Sequence, residues 1–209
     1  MTHTLHRAGS PPDLAGDFVI LAMAAKGVNR DDSTPKFQQL AETLLAFNPV
    51  NMGDLRNGTS LTTDPKKIAK VCGQSGIFHA VFTDAATVAR ALQAIKDSGI
   101  GLSIVVSGLC GEVARLAGEV GLAPHTTNQS FGVWGDTARL PPPSVLAVTT
   151  MCGHGLVARN LVLQMIEDVR AGRRPVAEAA VELGRQCVCG VFNTKRAEAL
   201  LSRAAEAGR

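Results

Sequence analysis

Phe18-Val-Ile-Leu-Ala-Met23 is an unbroken apolar run of strand length. A strand with no polar positions has no face to offer to water, so it belongs inside a sheet covered on both sides. Most sheets of that kind are parallel and are built by strands alternating with helices.

The neighbouring segments extend that reading. Residues 1–16 hold Ser10-Pro11-Pro12 and no apolar period, which predicts a flexible N-terminal tail ahead of one domain over 17–209. Thr34-Pro35 offers a cap and a first-turn proline, and Phe37, Leu40, Leu44 and Leu45 follow at helical spacing. Residues 48–63 are rich in Asn, Gly and Asp and read as a long irregular loop, with Asp54, Arg56 and Asn57 as a lid or substrate wall. Asp64-Pro65 opens a short helix, Ile77–Phe82 reads as a strand, and Asp84 caps a helix with Val88, Leu92 and Ile95 on one face. Residues 102–106, 126–134 and 145–149 read as further strands, with helices after Cys110, over 156–169, up to Leu183 and after Asn193. The expected class is α/β: a single domain with a predominantly parallel or mixed sheet covered by helices, and ferredoxin-like α+β as second choice.

Composition narrows the function. With 209 residues and 45% of them hydrophobic, the chain suits one well-packed domain. Twenty-one basic and 18 acidic residues are scattered without a cationic run, there is no tyrosine, and there is one tryptophan, so nucleic acid is not an expected partner. No apolar stretch approaches the roughly 20 residues of a membrane span, and 1–16 lacks the pattern of a secretory leader. A cytoplasmic protein without a membrane partner is expected. Five cysteines make an odd count, which in that compartment points to reduced thiols.

Four of the five cysteines precede a glycine: Cys72, Cys110, Cys152 and Cys189. Val-Val-Ser-Gly-Leu-Cys-Gly (105–111) and Ala-Val-Thr-Thr-Met-Cys-Gly (147–153) resemble one another, as two copies of one strand-end turn would. At such a turn Gly111, Gly153 and Gly190 would let backbone N–H groups approach a bound sulfur or anion. A thiol at a helix start is favoured as thiolate, whereas Cys72 reads as core packing.

Three chemistries suit this set. The first is a [4Fe–4S] cluster on Cys110, Cys152 and Cys189, with Cys187 either a fourth ligand or left beside an open iron that acts as a Lewis acid. Zinc is the alternative metal, although Cys187-Val-Cys189 is tighter than its usual C-x₂₋₄-C pairs. The third is metal-free thiol catalysis, with Cys152 activated by a histidine and Cys187 and Cys189 as a resolving pair. His154, between two glycines, is the best acid/base candidate, His79 reads as a core histidine, and Arg159, Lys195 and Arg196 are candidates to hold an anion.

The expected function is therefore a small iron–sulfur lyase or hydrolase acting on a small anionic substrate by elimination, hydration or hydrolysis. A non-catalytic cluster carrier serving a partner subunit, or a homo-oligomer, is the competing expectation. No G-x-x-x-x-G-K-[ST] or G-x-G-x-x-G segment supports a nucleotide cofactor.

Overall fold

Phe18–Met23 is the strand β1, and it lies inside the sheet as its composition requires. The structure, a computed structural model, describes residues 3–207. Around β1 the chain forms α1 (Pro11–Leu14), α2 (Thr34–Leu45), β2 (Asn51–Asp54), β3 (Gly58–Thr59), α3 (Pro65–Val71), β4 (Ile77–Phe82), α4 (Ala85–Ser98), β5 (Ser103–Ser107) and α5 (Cys110–Glu119). It continues with α6 (Pro143–Thr149), α7 (Arg159–Arg170), α8 (Val176–Arg185) and α9 (Thr194–Glu206). A 3₁₀ turn, Thr150–Cys152, follows α6 directly.

The sheet order is β3-β2-β4-β1-β5, and every pairing is antiparallel. The expected parallel or mixed sheet is thus not formed; the architecture is α+β. β4 lies between β1 and β2, and β1 lies between β4 and β5, so two crossovers interlock as in the split βαβ pattern of ferredoxin-like sheets. An apolar run reports cover on both faces and carries no information on strand direction, which explains the error.

The cover comes from two helical layers. Phe18, Ile20 and Ala22 alternate with Val19 along β1. The first set, with Phe78, Ala80 and Phe82 of β4, packs on α2, α4 and α5, while Val19 and Val81 meet the helices of the C-terminal third. Asp84 caps α4 through Thr87 N and Asn193 caps α9 through Arg196 N, each bond of a type worth about 1 kcal/mol.

Four more expectations change. Residues 145–149 belong to helix α6, because Pro142-Pro143 starts a helix and Val145 and Val148 then share its buried face. Residues 126–134 form no strand; they are exposed, with Phe131 and Trp134 outside the core. The polar segment 48–63 contains β2 and β3, and Asp54 is buried as a turn-forming acceptor for Arg56 N, Asn57 N and Gly73 N. Residues 3–16, read from sequence as a flexible tail, are laid against the C-terminal third, with Arg7 bonded to main-chain carbonyls there. No helix among the described residues is long and apolar enough to cross a membrane.

Candidate functional site: a buried thiol chain with a histidine at its rim

Two loops of the C-terminal layer converge. One is the 3₁₀ turn after α6, which ends at Cys152 and reverses at Gly153 with φ of 76°. The other joins α8 to α9 and carries Cys187 and Cys189. Cys152, Cys187 and Cys189 are all wholly buried. Cys187 Sγ is 3.7 Å from Cys189 Sγ, and Cys189 Sγ is 3.7 Å from His154 Nδ1. Cys152 hydrogen-bonds to Cys187, so the sulfurs form a chain, Cys152–Cys187–Cys189, that ends at an exposed histidine.

Gly190 permits this approach. It has φ of 82°, and a Cβ there would stand 2.6 Å from Gly53 N of β2. Only glycine lets the Cys189 turn sit down on the sheet in this way. Gly53 pairs in register with His79 of β4, which pairs with Leu21 of β1. His79 shares the sheet face of Val81 and therefore lies in the floor beneath the C-terminal layer. His79 is wholly buried there.

The protons are unequally held along the chain. The bond to Cys187, together with burial, keeps Cys152 protonated well above the usual thiol range. At Cys187 the bond from Cys152 favours the thiolate, but the bond to Cys189 and burial outweigh it and push the thiol up to about 11. Cys189 receives the bond from Cys187 and is held below the ordinary thiol value in spite of its burial. Main-chain N–H groups add to this: those of His154 and Leu156 meet Cys152, and that of Val191 meets both Cys187 and Cys189. Of the three sulfurs, Cys189, beside the imidazole, is therefore the one that gives up its proton most readily.

The remaining candidates are dispersed. Cys110 is exposed at the start of α5, which packs on α4 and β5 on the opposite side of the sheet from the thiol chain. A Cβ at Gly111 would meet open space, so nothing there demands glycine. The likeness between 105–111 and 147–153 is not structural, since one stretch follows a strand and the other a helix. Arg159 is exposed at the first turn of α7. Lys195 is exposed and bonded to Glu198, while Arg196 is buried and committed to Asp17 and the Ala8 carbonyl. A cavity of about 680 Å³, lined by Pro142, Val145, Leu163, Ile166 and Leu200, lies elsewhere, between the N-terminal segment and α6, α7 and α9.

Among the described residues, no three His, Cys, Asp or Glu side chains are set around one point as the ligands of a metal ion. The chain matches no family model, no curated protein and no solved structure.

Proposed function

We propose that Cys152, Cys187 and Cys189 hold an iron–sulfur centre, with His154 on its solvent side. The observation that carries this reading is the convergence of three buried sulfurs from two separate loops, each sulfur met by main-chain N–H groups. Thiols buried only for packing need no such donors, whereas anionic sulfur in a low-dielectric interior does. The ligand set differs from the one expected from sequence, with Cys187 taking the place of Cys110.

Three thiolates on a [4Fe–4S] cluster leave one iron available as a Lewis acid. The chain's own residues supply the rest. The buried cysteine loops exclude water from the inner side. His154, exposed and next to Cys189, is the group placed to pass a proton to or from a substrate, and Arg159, exposed at the start of α7, is the candidate to meet a small anion. Elimination, hydration or hydrolysis of a small anionic substrate is the reaction class that these groups serve. A reducing cytoplasm, where thiols persist, is the matching compartment.

The 3.7 Å spacings favour a second reading. Two sulfurs each about 2.3 Å from one tetrahedral ion stand about 3.8 Å apart. A single zinc ion bound by the three cysteines and His154 would leave no open position, and the protein would then be a non-catalytic component acting with a partner.

Protein purified without oxygen decides between them. Iron with acid-labile sulfide, retained in His154→Ala, supports the cluster with a free histidine. Zinc, lost in His154→Ala, supports the single ion. A protein with neither metal overturns both.

A further inference from the structure

Arg7 stands between the two cysteine loops. Its Nη1 donates to the Met151 carbonyl at 3.0 Å and to the Val191 carbonyl at 2.8 Å. Met151 adjoins Cys152, and Val191 is the residue whose N–H meets the sulfurs of Cys187 and Cys189. One nitrogen therefore grips both loops at their sulfur-bearing turns. The other edge of the guanidinium, Nε and Nη2, is bonded to Asp17.

Asp17 is itself immobilised. It accepts from Arg196 Nη1 at 2.8 Å and from Asn193 Nδ2 at 2.9 Å, and Asn193 caps the helix that follows Cys189. The side chains of Arg7, Asp17 and Arg196 are 6%, 0% and 4% exposed. A fold that needed only an ion pair would bury one cation against one carboxylate. Here two guanidiniums share a single Asp17, and Arg196 Nε has no partner among the described residues. The surplus positive charge lies beside loops whose sulfurs become anionic on binding a metal.

We propose that Arg7, oriented by Asp17, is the positioning residue of the thiol site and fixes the distance between the Cys152 loop and the Cys187–Cys189 loop. A planar fork anchored on one edge and donating to two carbonyls from the other is a task a lysine cannot perform. Arg7 touches no sulfur; it acts through the main chain. The spacing role stands on the geometry alone, and only its consequence for the metal rests on the reading given above.

The test uses the full chain as wild type, Arg7→Lys and Arg7→Met, with Leu183→Ala as a control that destabilises the same layer from within α8, outside both loops. The metal-free reduced proteins are oxidised with diamide, and formation of the Cys152–Cys187 disulfide is followed by peptide mapping. Separately, each protein is supplied with iron and sulfide without oxygen and its bound iron is measured.

Arg7→Lys is expected to remain folded by circular dichroism, to form the disulfide about tenfold more slowly, and to retain less iron, because small errors of placement cost that much. Leu183→Ala is expected to melt earlier yet cross-link at the wild-type rate. Arg7→Lys cross-linking at the wild-type rate overturns the proposal, and Arg7→Lys decides the matter if Arg7→Met does not fold. Wild-type protein that cross-links readily but takes up no iron refutes the metal centre and leaves the positioning role standing.

Discussion

Cys72 and Cys189 are both wholly buried, one under each face of the sheet, and they differ in what surrounds the sulfur. Cys72 donates to the carbonyls of Phe37 and Ala69, each at 3.5 Å, among aromatic and aliphatic side chains. Burial and the nearby Asp54 carboxylate push its thiol up to about 12. Cys189 is equally dry but receives a hydrogen bond from Cys187 and another from Val191 N, and it is held below the usual value. Burial alone raises a thiol; hydrogen-bond donors around a buried sulfur offset that and favour its thiolate. The same contrast runs through the two layers, for one is a packed apolar core and the other carries the cysteine loops and the Arg7–Asp17–Arg196 network.

The sharpest way to break the contrast is to remove the charge at its centre. Asp17→Asn leaves two buried guanidiniums facing each other without their carboxylate, and it should lower the unfolding free energy by about 3–5 kcal/mol in urea titration. Loss of well under 1 kcal/mol would mean that the network is solvated rather than buried.

A second comparison separates packing from function. Leu44→Ala, in the apolar layer, should cost about 2–5 kcal/mol and leave the metal content of the folded protein unchanged. Gly190→Ala should cost less, about 1–3 kcal/mol, because it forces a Cβ into a left-handed backbone against Gly53. It should nevertheless deplete the metal, since the turn that carries Cys189 must lift from the sheet. Equal metal content in the two variants would contradict the division of labour between the faces.

The smallest effect concerns pH. The folded pKa of Cys72 is raised from an ordinary 9.0 to about 12. Its contribution to stability is therefore complete below pH 9 and is lost as pH rises toward 12, because the unfolded chain gives up the proton first. Wild-type stability, measured by denaturant titration, should fall across that window, and the fall should be shallower in Cys72→Ala. An identical slope in both would show that the Cys72 thiol is not held as described.

The sequence made some of this legible and hid the rest for identifiable reasons. Phe18–Met23 announced a strand covered on both faces, and Asp84 and Asn193 announced their helices through cap chemistry that acts over three residues. Strand direction was not readable, because β1 pairs with residues far along the chain, Met23 with Ile77 of β4 and Val19 with Ser107 of β5. Residues 145–149 resembled a strand because a short apolar run has the same composition in either state; the preceding prolines were the better guide. In the site, Cys152, Cys187, Cys189 and His154 were legible from their tight spacing with glycine. Cys110 shared that local pattern, but its helix is on the other layer, a fact of topology that no local motif records. Arg7 escaped notice altogether, since its partners Met151 and Val191 are more than 140 residues away and offer only main-chain carbonyls.

The central claim is that one face of the sheet carries a metal-holding thiol site and the other does not. Its most direct test is iron, sulfide and zinc analysis of the wild-type, Cys72→Ala and Cys189→Ala proteins, all purified without oxygen. The account predicts iron and sulfide in the first two and neither in the third. Wild-type protein without metal, or Cys189→Ala with as much metal as wild type, would contradict it.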